Sequence, residues 1–139
     1  MRYIALLIAA IYLMGCKSEF EPITYGKDPC EHCKMTIVDK RFACELLTEK
    51  GKPYKFDDLG CLLQWLKQNS NAGKNARLFI ANYAAPDDKF LDAYQAKYIH
   101  SETLHTPMNG NYAAFESNAA AQDVAAQLQS NILTWNDLK

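Results

Sequence analysis

Residues 41–68 read RFACELLTEKGKPYKFDDLGCLLQWLKQ, and the hydrophobic period changes inside this stretch. Phe42, Cys44 and Leu46 alternate as in a strand with one buried face. Glu49-Lys50-Gly51-Lys52 supplies a hairpin loop, and Tyr54 and Phe56 lie on the returning strand. Asp57 or Asp58 then takes the N-cap position, and Leu59, Leu62, Leu63 and Leu66 follow at helical spacing. After a loop at NSNAGKNA (69–76), RLFIANY (77–83) reads as a further strand. The predicted order is strand, strand, helix, strand.

The same plan returns downstream at lower contrast. AKYIHSE (96–102) is strand-like, MNGN (108–111) carries an Asn-Gly hairpin signal, and YAAFE (112–116) supplies the returning strand. Ser117 caps an alanine-rich helix, SNAAAQDVAAQLQ, and NILTWNDL (131–138) reads as the closing strand. The two β-β-α-β units meet near ANYAAPDD, where Pro86 and two aspartates interrupt regular structure. The fold class is therefore α+β: units at 28–85 and 86–139, packed together and related by their element order.

Upstream, residues 1–16 read MRYIALLIAAIYLMGC: one basic residue, then an uncharged apolar run too short to cross a bilayer as a helix. This is the shape of a secretory signal over 1–15. Leu13-Met14-Gly15-Cys16 resembles a bacterial lipoprotein box, with Cys16 as the lipidated N-terminus of the mature chain and a retained N-terminal anchor as the other reading. Residues 16–27 hold Pro22 and Gly26 without apolar periodicity and read as a tether. Both readings place the protein outside the cytoplasm, on the periplasmic face of a bacterial membrane. Cleavage removes Arg2, taking 15 basic residues to 14 against 16 acidic ones, a balance that argues against a nucleic-acid partner.

The chemistry concentrates in DPCEHCKMTIVDK (28–40), where Cys30, Cys33 and Met35 form the pattern C-x-x-C-x-M. A turn brings the two cysteines together. If the chain then extends, Cys33 and Met35 project to one side. With Cys16 lipidated, Cys30, Cys33, Cys44 and Cys61 remain, an even number that in an oxidising compartment suits disulfides. A thioredoxin-like redox pair normally opens a helix, whereas strand-like residues follow here. Structural zinc requires further ligands at matched spacing, which Cys44 and Cys61 do not provide. Soft-metal binding is the reading that gives the thioether of Met35 a role, since a neutral sulfur donor suits Cu(I). Cys44 lies on the inward face of its strand as a small apolar residue. Cys61 lies off the leucine stripe, placed to pair with Cys44 or to approach the metal. His32, between the two cysteines, faces either solvent or the site. Capping accounts for Asp57 and Asp58.

CEHCKM, followed by IVDKRFACEL, a hairpin and KFDDLGCLLQWL, resembles the NosL family, lipoprotein accessory proteins of nitrous oxide reductase that bind Cu(I). The resemblance continues through AKYIHSETLHTPMNGNYAAFESNAAA and covers nearly all of 28–139. It implies a metallochaperone rather than an enzyme, with Cu(I) held by Cys30, Cys33 and Met35. Met108 matches the family's Met-Gly turn, although Asn109 intervenes before Gly110. It further implies a copper donor, nitrous oxide reductase as recipient, and membrane attachment through Cys16. A homodimer sharing copper through Met108 is left open. Where the family commonly has glycine between the second cysteine and the methionine, this chain has Lys34. The alternatives are an extracytoplasmic thiol-disulfide oxidoreductase using Cys30 and Cys33, and a disulfide-stabilised binding module.

Overall fold

The computed structural model describes residues 20–138. The expected signal and the lipidation site at Cys16 lie outside these residues. Strands β1 (Cys44–Leu47) and β2 (Pro53–Phe56) form a hairpin, followed by helix α1 (Leu59–Gln68) and strands β3 (Arg77–Ile80) and β4 (Leu91–Asp92). The second half consists of β5 (Lys97–His100), β6 (Tyr112–Phe115), helix α2 (Asn118–Gln127) and β7 (Ile132–Leu133), with a closing 3-10 turn at Trp135–Leu138. Two antiparallel sheets result, ordered β2-β1-β3-β4 and β6-β5-β7. In each unit the first strand lies centrally between the second and the one that follows the helix, so both units share one topology.

Side-chain period explains the layers. Cys44, Leu46, Phe56, Leu78 and Ile80 face α1, which contributes Leu59, Cys61, Leu62 and Trp65 to the same core. Of the expected stripe, Leu63 and Leu66 are only partly buried. Full burial of each large apolar side chain contributes roughly 1.5–3 kcal/mol. In the second unit, Ala121 and Ala125 lie one turn apart on α2 and pack with Ile99, Ala113 and Phe115. Tyr98 of β5 is fully buried in the first unit's core and interlocks the halves.

Three local expectations change. The tether assigned to 16–27 is not free over its described part: Ile23 is in the core, the Glu21 amide donates to Glu45 Oε1, and Lys55 Nζ donates to Glu21 Oε1 and the Pro22 carbonyl. Glu45 and Lys55, neighbours across β1 and β2, supply the polar partners that hold this segment down. The Asn-Gly signal does not make a tight hairpin, because His100 pairs with Tyr112 and leaves 101–111 as a longer loop. Asn109 and Asn111 take left-handed backbone conformations there. The closing strand is short because Asp137 accepts from the amide and hydroxyl of Thr134, which favours a turn. Among the described residues no helix is long and apolar enough to cross a membrane.

Candidate metal centre

Residues 28–37 form a small hairpin rather than a strand. The Cys30 amide donates to the Met35 carbonyl at 2.7 Å, and the Ile37 amide donates to the Asp28 carbonyl at 2.9 Å. Pro29 and Thr36 pair between them. The Lys34 amide closes the turn onto the Cys30 carbonyl at 3.0 Å, and Lys34 adopts φ of 64°, the left-handed conformation that lets the chain reverse. A glycine takes that conformation at no steric cost, whereas a lysine holds it under mild strain.

The hairpin is fixed against the first unit by polar contacts. The Glu31 amide donates to the Lys55 carbonyl at 2.7 Å, Lys55 Nζ reaches Asp28 Oδ2 at 2.8 Å, and His32 Nε2 lies 3.2 Å from Gln64 Oε1 on α1. This arrangement brings Cys30 and Cys33 over the first turn of α1, where Cys61 waits. The sulfurs of Cys30, Cys33 and Cys61 all lie within 4.8 Å of one another and form a group able to hold a metal ion. All four described cysteines are free, and Cys44 is elsewhere in the core, its thiol donating to the Phe42 carbonyl at 3.3 Å.

The electrostatics of the trio are uneven. Cys30 is pushed down to about 5, chiefly because the Cys61 thiol donates to its sulfur, with the amides of Cys33 and Asp57 assisting against burial. Cys61 is raised far above the usual thiol range because its proton is held on Cys30 and burial adds to the effect. Burial raises Cys33, partly offset by the Met35 amide. Cys30 is thereby the sulfur of the trio that most favours the thiolate, beside a helix N-terminus that favours negative charge. Asp57 is buried with Oδ1 unpartnered, and burial together with the nearby Cys30 sulfur pushes its carboxyl up to about 6. Capping alone does not account for it.

Asp58 does cap α1, its Oδ1 accepting from the Cys61 amide at 2.9 Å. Its Oδ2 reaches into the second unit and accepts from Thr106 Oγ1 at 2.7 Å and from the amides of Met108 and Gly110 at 3.1 and 3.2 Å. Gly60 and Gly110 are packed so closely that a Cβ on Gly60 would sit 2.7 Å from the Gly110 Cα. The Met108 turn is thereby held beside the helix turn that carries Cys61.

Of the residues assigned from sequence, the fold brings Cys30 and Cys33 together. It leaves Met35 57 % exposed and Met108 36 % exposed. The left-handed Lys34 removes the straight extension that would have aligned Met35 with Cys33. Sequence reasoning left Cys61 unassigned. The pointer to it was its place three residues after the cap, which puts it in the first helical turn. An apolar groove of about 470 Å³ between the 20–25 segment and the residues around Phe79 and Phe90 contains none of the cysteines.

A family model described as NosL matches residues 23–139. Among solved structures, the crystal structure of the copper chaperone NosL from Shewanella denitrificans superimposes with a TM-score of 0.72 at 15 % identity, covering 86 % of this chain and 95 % of that one. A search of curated proteins found no match. At that identity the superposition speaks for the fold, whereas the family model spans most of the sequence and both units described above. This chain belongs to the NosL family.

Proposed function

We propose that this protein is a Cu(I) chaperone whose cargo is held by Cys30, Cys33 and Cys61 and passed to a copper enzyme outside the cytoplasm. The convergence of the three sulfurs carries the reading. The group contains no histidine or carboxylate. Thiolates suit a soft, low-coordinate cation, while structural zinc closes its shell with four ligands. The NosL family match and the fold shared with a protein described as a copper chaperone support the same reading. Met35 and Met108 are the thioethers available to add to the copper shell or to take copper over during transfer. Lipid on Cys16 tethers the domain to the membrane, and nitrous oxide reductase is the recipient that the family resemblance points to.

X-ray absorption at the copper edge of the Cu(I)-loaded protein tests the site. A shell of about three sulfurs is expected. A shell dominated by nitrogen or oxygen contradicts the assignment. For the recipient, affinity capture from copper-replete membranes is expected to recover a copper enzyme, and recovery of none counts against delivery.

The second reading, a thiol-disulfide oxidoreductase, draws on the lowered pKa of Cys30. An attacking thiolate must also be reachable. Cys30 is fully buried, and the more exposed Cys33 is raised rather than lowered. The features that a redox pair needs on one sulfur are divided here between two.

A further inference from the structure

We propose that Cys33 is the exchange ligand of the site: copper enters and leaves through its sulfur, while Cys30 and Cys61 form the holding pair. This rests on the copper reading above and adds an order of events to it.

The three sulfurs are equivalent in chemistry but not in access. Cys30 is 0 % and Cys61 1 % exposed, both in the main core, whereas Cys33 is half-buried and packs against that core from its edge. The exposed limb of the hairpin starts at Cys33 and runs through Lys34, Met35 and Thr36, all exposed. On the closed side, Cys30 and Cys61 lie within the core, their sulfurs within 4.8 Å of each other and of Cys33. The Cys61 amide is bound by Asp58, itself buried. An incoming ligand therefore meets the cluster at Cys33.

Transfer then proceeds by ligand exchange without change of oxidation state. A soft sulfur donor of the partner forms a bond to copper, the bond from copper to Cys33 Sγ breaks, and the released Cys33 thiolate takes a proton from solvent. Copper stays Cu(I) throughout and leaves Cys30 and Cys61 as further partner donors arrive. Loading is the reverse. Met35, two residues beyond Cys33 and well exposed, presents a second soft sulfur on the same limb.

Removing Cys33 or Cys61 takes one thiolate from the shell, so the two losses weaken binding alike, but only the loss of Cys33 removes the accessible ligand. The test is stopped-flow transfer of Cu(I) from the reduced, loaded full-length protein in detergent to excess bicinchoninate, comparing the unaltered chain with Cys33→Ser, Cys33→Ala and Cys61→Ser. Expected is transfer slowed about tenfold or more in both Cys33 variants, despite their weaker affinity, with Cys61→Ser as fast as the unaltered protein or faster. A variant that binds more weakly yet releases more slowly is not explained by loss of affinity or by loosening of the fold. Cys33 variants that release copper as fast as Cys61→Ser overturn the assignment. Failure of the unaltered protein to load copper at all overturns the copper reading beneath it.

Discussion

Asp58 Oδ2 accepts a hydrogen bond from the Met108 amide at 3.1 Å while the other oxygen of the same carboxylate caps the helix turn bearing Cys61. One buried side chain thus joins the thiol cluster of the first unit to the methionine turn of the second. Asp58→Ala leaves the Cys61, Thr106, Met108 and Gly110 donors without this acceptor and is expected to cost roughly 2–4 kcal/mol of stability. Asp58→Asn, which keeps one carbonyl acceptor, is expected to cost less. Urea unfolding of the metal-free protein measures both, and equal stability of all three chains contradicts the bridge.

The close approach of Gly60 and Gly110 makes a second demand on the same junction. A Cβ at Gly110 would lie 2.8 Å from both the Cα and the amide nitrogen of Gly60, and backbone cannot yield as a side-chain tip does. Gly110→Ala is expected to destabilise by about 1–3 kcal/mol and to shift the amide resonances of Cys61 and Met108 together. Nuclear magnetic resonance spectra of the labelled protein provide the check, and an unperturbed Cys61 signal counts against contact across the units.

At Lys34 the backbone conformation decides the outcome. Lys34→Gly relieves the left-handed strain while increasing the freedom of the unfolded chain, and is expected to stay within about 0.5 kcal/mol of the parent. Lys34→Val places a branched side chain at φ of 64° and is expected to cost about 1–2 kcal/mol. Thermal unfolding separates the two, and a harmless valine contradicts the turn geometry.

Glu45 gives the fold a pH dependence. It is fully buried beneath the 20–28 segment with Oε2 unpartnered, and burial pushes its carboxyl from 4.5 up to about 7, against the Glu21 amide and the charges of Lys55 and Arg77. The folded state holds the proton more tightly than the unfolded chain. This contribution is fully present below about pH 4.5 and is lost as pH rises through about 7. Asp57, raised to about 6, acts in the same direction. Glu45→Gln, which remains neutral, is expected to match the parent near pH 4.5 and to exceed it at pH 8 by up to about 3 kcal/mol. Urea unfolding at the two pH values tests this, and a glutamine variant no more stable at pH 8 contradicts it.

The architecture was legible where the hydrophobic period is strong. The switch from Cys44 and Leu46 to the spacing of Leu59 and Leu62 marks β1 and α1, and Ser117 marks the start of α2, whereas Phe42 falls before β1 and packs with the second unit's core. Local signals misled where long-range pairing decides. The Asn-Gly signal yielded to the register that pairs His100 with Tyr112, and the aperiodic 20–27 segment is held on the sheet by Ile23 in the core and by Glu45 and Lys55. Cys30 and Cys33 were readable because a turn joins sulfurs that are near in sequence. Cys61 was not, because its place beside them depends on how the hairpin docks on β2 through Glu31 and on α1 through His32. Nothing local in Asp58 distinguishes a helix cap from a bridge between units, since its additional donors come from the 106–110 loop.

The most direct test of the three-thiol site is an anaerobic competition titration of the reduced full-length protein against a chromogenic Cu(I) chelator, with Cys30→Ser, Cys33→Ser, Cys61→Ser and Met35→Leu alongside. The account predicts stoichiometric capture by the unaltered protein, with affinity weakened about 10-fold to 100-fold by Cys61→Ser and by each of the other serine variants, and less by Met35→Leu. Cys61→Ser competing as well as the unaltered protein, while Met35→Leu fails, would contradict it and return the third ligand to the methionine.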